Sequence, residues 1–118
     1  MTYLVACLSS GKGSWTHLMN IINSGMFEHT ILITNEFGSQ NFKGNDNMSL
    51  CVVDFRKDLP TLIKDIVQQI DGKVPDLEVG LNIISGTGHE HMAILAALIK
   101  CGLAIRLIDY TENGVQEI

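Results

Sequence analysis

Two glycine-bearing stretches hold most of the residues in this chain that could do chemistry, SSGKGS at 9–14 and SGTGHEHM at 85–92. In the second, Gly86 and Gly88 let backbone amides approach an anion closely, and a helix expected just after them adds the partial positive charge of its N-terminus. Phosphate is the natural guest of such a loop, with Ser85, Gly86, Thr87 and Gly88 around it. An ordinary strand-to-helix turn uses the same residue types, so this stretch alone leaves both readings open. The first loop repeats the device. Ser14 can serve as N-cap, Gly11 and Gly13 free the backbone, Ser9 and Ser10 offer hydroxyls, and Lys12 carries a mobile ammonium. No Asp or Glu occurs in residues 1–27, although the whole chain has a formal net charge of -5. The first loop is thus locally spared negative charge, and the pair favours an anion site over two unrelated turns.

Other candidates carry their bland alternatives with them. His89 and His91 titrate near neutral pH and stand beside the glycine loop, so either can act as a general acid. They fall on different helix faces, so one of the two is expected to face a pocket; a first-turn histidine bonded locally is the competing role. Glu90 reads as a first-turn residue complementing the helix dipole. His17 reads as surface or packing, and His29 begins a strand. Trp15 can stack on a base but fits better as filler between helix and sheet. Asn35, just past the second strand, is a candidate for reading a base edge. Cys7, Cys51 and Cys101 lie in apolar runs without a C-x-x-C pair or a zinc-type Cys/His spacing, so reduced core cysteines and no metal or cofactor are expected.

The elements that must position these residues alternate. Apolar runs at 2–8, 29–34, 50–55, 81–84 and 103–109 read as strands, and 15–24, 59–70 and 92–101 as helices. Continuous apolar strands between helices imply an α/β fold, a Rossmann-like three-layer sandwich with a mostly parallel sheet. Leu59, Leu62, Ile63, Ile66, Val67 and Ile70 recur at helical spacing, with Asp58 as N-cap, Pro60 in the first turn and Gly72 at the end. Residues 35–48, polar and glycine-bearing, read as a lid or an insertion, and 71–80 as a connector back into the sheet. Strand order 3-2-1-4-5 would set the first and fourth strands side by side and bring both glycine loops together at the carboxyl edge. A flavodoxin-like order would put the third strand between them.

The whole chain bounds the rest. Its 118 residues make one domain, 1–118. Hydrophobic residues at 46% against 18% charged suggest apolar surface covered by a partner copy. No apolar run reaches the ~18 residues that span a bilayer, and the N-terminus lacks the basic flank and cleavage pattern of a signal peptide, so no membrane association and a cytoplasmic location are expected. A pI near 5.2 with no basic stripe disfavours long nucleic acid and leaves a short or cyclic nucleotide open.

Taken together, LNIISGTGHEHMAILAALIKCGLAIRLI and YLVACLSSGKGSW resemble CARF domains, the CRISPR-associated Rossmann-fold family. The resemblance covers most of the chain and rests on the small-residue loop after the first strand, the glycine-rich turn after the fourth, and the closing helix and strand. Family members often carry two adjacent glycines, then Thr and a basic residue, where this chain has Ser85, Gly86, Thr87, Gly88 and His89. What the resemblance implies is a homodimer whose two-fold axis passes through a pocket built from both glycine loops of each copy. Its ligand would be cyclic oligoadenylate, cyclic tetra-adenylate foremost, because a ring of identical nucleotides suits a symmetric dimer.

It further implies a metal-independent ring nuclease that switches off type III CRISPR signalling. A ribose 2′-hydroxyl would attack the adjacent phosphodiester, leaving a 2′,3′-cyclic phosphate, while the protein aligns the reacting atoms and stabilises the phosphorane. Lys12, Ser9 or Ser10, and the amides around Gly86 to Gly88 would hold the phosphate, and His89 or His91 would protonate the leaving oxygen. The alternatives are a sensor or sink that binds without cleaving, and a degenerate ATP-pyrophosphatase-like loop in which Gly13 replaces the Asp of the SGG-x-DS pattern.

Overall fold

A computed structural model of the protein describes residues 2–9, 12–42 and 46–118, with the backbone alone at residues 12 and 13. β1 (Tyr3–Leu8), β2 (His29–Thr34), β3 (Met48–Val52), β4 (Glu78–Asn82), β5 (Ala104–Thr111) and β6 (Gly114–Glu117) form one sheet in the order β3-β2-β1-β4-β5-β6. The first five strands are parallel, and β6 returns antiparallel along β5. The helices are α1 (Lys12–Ile22), α2 (Glu36–Asn41), α3 (Leu59–Ile70) and α4 (Gly88–Lys100). This is the expected Rossmann-like sandwich, and the sheet reverses its order between β1 and β4, where such folds open a crevice.

Packing follows from the strand period of two. Val5, Cys7, Ile31, Ile33, Val79 and Leu81 point to one face and are covered by Leu62, Ile66 and Ile70 of α3 with Ala93, Ile94, Ala97 and Leu98 of α4. Leu4, Ala6, Leu8 and Leu32 point to the other face, against Leu18 and Ile21 of α1. β1 and β2 are buried almost throughout, as two-sided cover requires. β5 departs from that expectation: its residues are mostly exposed or half-buried, with Arg106 held between Glu78 and Glu117 at the surface.

Several expected boundaries shift, each for a local reason. α3 forms as its stripe dictates, with the Asp58 carboxylate accepting from the Thr61 amide at 3.2 Å and Gly72 at φ 76° just past its end. α4 starts a full turn before residue 92 because Thr87 and Glu90 form a capping box, each side chain accepting from the other's backbone amide. α1 likewise starts at Lys12, so Ser14 lies inside the helix and is not its N-cap. β4 begins at Glu78, inside the expected connector, because Gly80 admits the Phe27 ring: a Cβ there would stand 2.7 Å from it. Residues 36–41 of the expected lid are the short helix α2, and residues 43–45 lie outside those described. β6 was not expected, although Asn113-Gly114, with Gly114 at φ 95°, is a hairpin-turn dipeptide.

Candidate functional site

The parallel pairing of β1 with β4, Leu4 opposite Gly80 through Ala6 opposite Asn82, delivers the two glycine loops to the same carboxyl edge. There the Ser9 amide donates to the Ser85 hydroxyl oxygen at 3.1 Å, and both residues are buried. The two loops therefore meet, as the strand order 3-2-1-4-5 required. Ser85 joins the loops with its side chain rather than displaying it. Thr34 performs the same service one strand over, its hydroxyl donating to the Leu8 carbonyl at 2.6 Å. Asn82 ties β4 to β5 by donating to the Ile108 carbonyl at 2.8 Å.

Gly86 is indispensable at its place and Gly88 is not, on steric grounds. Gly86 holds φ 110°, and a Cβ there would meet a Glu90 carboxylate oxygen at 2.6 Å, the Cys7 sulfur at 3.0 Å and His91 Nε2 at 3.1 Å. Around Gly88 nothing lies within 4 Å, so the first turn of α4 is open to approach. The capping box engages the Thr87 amide, which donates to Glu90 at 2.7 Å, and the Glu90 amide, which donates to Thr87 at 3.4 Å. The amides of Gly88 and His89 stand ahead of the first intrahelical bond, from His91 to the Thr87 carbonyl at 2.9 Å. Glu90 sets a limit on this site, because the residue is only 8% exposed and its carboxylate, close under Gly86, opposes a second negative charge. Burial, then the Glu90 charge, pushes the Cys7 thiol up to about 12, so this cysteine under the loop stays a thiol and is no nucleophile.

The two histidines diverge, as their spacing requires. His89 Nε2 donates to the Lys57 carbonyl at 3.0 Å, across to the loop after β3, and His91 Nε2 donates to the Ser85 carbonyl at 2.9 Å. Each is thus bonded locally. Asn35 spends its side-chain oxygen as the N-cap of α2, accepting from the Gly38 amide at 2.9 Å. Trp15 packs among Ala6, Leu8 and Leu18, the filling role expected of it. Ser10, Gly11 and the side chain of Lys12 lie outside the described residues, and Gly13 is placed only as helical backbone. Among the described residues, no group of three His, Cys, Asp or Glu comes together that could hold a metal, and no helix is long and apolar enough to cross a membrane.

Two features escaped the sequence reading. His17 donates to Asp109 at 2.7 Å with the Tyr110 ring edge-on at 6.0 Å, which ties α1 to the end of β5 and holds the Asp109 carboxyl below the usual range. Nothing in the spacing of residues 17 and 109 announces that pair. The second is a cavity of about 730 Å³ at the carboxyl ends of β2 and β3, between α2 and α3, with Asn35, Phe37, Phe55, Arg56 and Gln68 in its wall. Part of its signal was available: Arg56 and Lys57 come just after the carboxyl end of a strand, where α/β folds place ligand contacts. Comparison of the chain with protein-family models and with curated proteins finds no match.

Proposed function

We propose that this protein binds cyclic oligoadenylate between the paired glycine loops of two copies and opens the ring. The observation that carries this reading is the Ser9–Ser85 bond between loops leaving adjacent parallel strands, since one phosphate can then be shared by both loops. The exposed first turn of α4, with Gly88 unobstructed, supplies the approach. Lys12 and Ser10 are assigned to the phosphate from the first loop; Ser9, expected there as well, is buried with its amide on Ser85 and is not. The second copy brings the same contacts to the other half of the ring.

Ring opening uses only groups the ligand and the protein supply. The ribose O2′–phosphorus bond forms as the phosphorus–O5′ bond breaks; the 2′-hydroxyl loses its proton and O5′ gains one, leaving a 2′,3′-cyclic phosphate and a 5′-hydroxyl. The protein's part is alignment and stabilisation of the charge that builds on the phosphorane. His89, exposed in the first turn, is the group assigned to protonate O5′, which requires it to release the Lys57 carbonyl.

One observation favours a second reading, a sensor or sink that binds without cleaving. Both histidines are engaged with backbone carbonyls, and Glu90 stands where charge would build. Incubation with cyclic tetra-adenylate and cyclic hexa-adenylate in excess EDTA, with the oligomeric state measured by light scattering, separates the readings. Multiple-turnover linear product from a dimer supports the enzyme, and tight binding of an intact ring supports the sensor. A chain that binds neither ring, or binds as a monomer, ends both.

A further inference from the structure

The cavity at the carboxyl ends of β2 and β3 is built differently from the glycine loops. Its wall is made of side chains: the rings of Phe37 and Phe55, the amides of Asn35, Gln68 and Gln69, and the charged groups of the loop after β3. At about 730 Å³ it lies within the range of small-molecule sites. Phe37 is 53% exposed although aromatic, so its ring offers a face that the core does not use. It makes a tilted ring pair with Trp15, ring centroid to ring centroid 6.2 Å.

The charges here are already satisfied. Arg56 pairs with Asp54 in a fork, Nε to Oδ1 at 3.0 Å and the terminal nitrogen to Oδ2 at 3.2 Å, and Lys57 pairs with Asp65 at 2.8 Å. Glu36 is a third carboxylate in the same wall, so the lining carries one more acid than base. A phosphate would meet each cation already beside a carboxylate, in a lining of net negative charge. The amides, in contrast, retain capacity. Asn35 accepts from Gly38 through its oxygen, which leaves its NH₂ group, and Gln69 donates to the Val52 carbonyl at 3.0 Å, which leaves its carbonyl oxygen. A planar ring with both donors and acceptors on its edge matches that set, and primary amides pair with the N6 and N7 edge of adenine in this way.

We propose that this cavity is a second ligand site, for the neutral purine base of an adenosine-type nucleoside, with the base on Phe37 and its edge on the Asn35, Gln68 and Gln69 amides. Apart from Asn35 it uses none of the residues assigned to cyclic oligoadenylate, and it stands whether or not that reading does.

Titration calorimetry of the full chain with adenosine, inosine and AMP tests it, with emission of Trp15, the single tryptophan, as a second readout through its contact with Phe37. Adenosine is expected to bind saturably and to shift the Trp15 emission. Phe37→Ala, at an exposed position, should weaken adenosine about fivefold or more while Phe37→Tyr retains it. Gln68→Leu should narrow the preference for adenosine over inosine, and AMP should bind no more tightly than adenosine. The proposal is overturned by absence of saturation up to the solubility limit, by an affinity indifferent to Phe37→Ala, or by AMP binding about tenfold more tightly, which would mean that the cations are available after all. None of these ligands is a two-fold symmetric ring, so failure here is distinct from failure of the cyclic oligoadenylate test.

Discussion

The carboxyl edge of the sheet has a centre and a flank, and they are made of different material. At the centre, between β1 and β4, the described surface is backbone: loops held by buried Ser9 and Ser85, a glycine at φ 110°, and a capped helix start. On the flank, beyond β2 and β3, it is side chains: exposed aromatics, amides and paired charges around an open cavity. Backbone donors recognise charge with little regard for the rest of the ligand, whereas rings and amides recognise shape and edge chemistry. The centre is also the better packed of the two, so the same substitution should cost stability at the centre and binding on the flank.

Gly86→Ala is the sharpest way to break that contrast. The new Cβ would meet Glu90, Cys7 and His91 at a backbone angle that L residues avoid, and a loss of about 2–3 kcal/mol is expected from chemical denaturation. Gly88→Ala, with open space around it, should cost far less; equal losses would remove the claim that one glycine matters more. Next in size is Ser85→Ala, which leaves the buried Ser9 amide without its partner and should lower stability by about 1–2 kcal/mol in the same measurement. Thr87→Ala removes the cap of α4 and should cost about 1 kcal/mol, with faster amide exchange confined to the first turn of that helix.

On the flank, Phe37→Ala should change stability by less than about 0.5 kcal/mol, and a larger loss would make the flank a part of the core. The Asp109–His17 tie, about one-third exposed, is a pair worth under about 1 kcal/mol. The folded-state value of Asp109 is depressed, so its stabilisation is present above the ordinary carboxylate range and is lost as pH falls through the folded value. Wild type should exceed Asp109→Asn near neutral pH, and the two should converge on acidification.

The sheet order and the meeting of the loops were legible because apolar runs and glycine punctuation mark strands and the turns after their carboxyl ends. Asp58, Pro60 and Gly72 likewise announced α3. The start of α4 was misplaced because the glycine at 88 argues for loop, but a cap outweighs it, and at Thr87-Gly-His-Glu90 the capping-box spacing was present in the sequence. Gly80 misled in the opposite sense, since its reason is the Phe27 ring, 53 residues away in the chain and adjacent only in the fold. The flank cavity was harder to foresee, because it is assembled from α2, β3 and α3 and no single stretch carries its pattern.

The bond between Ser9 and Ser85 also has a mechanical meaning. With the strands below it hydrogen-bonded in register and the serines buried, the chain at Ser9 and at Ser85 forms one unit, unable to part without exposing an unpaired amide. A guest at the first turn of α4 then meets donors whose ordering was completed when the chain folded, so little freedom remains to be lost on binding. Such a seat is stiff rather than adaptive: it should discriminate sharply by the position of a single group, and calorimetry should find its entropy of binding less adverse once the serines are intact than after Ser85→Ala.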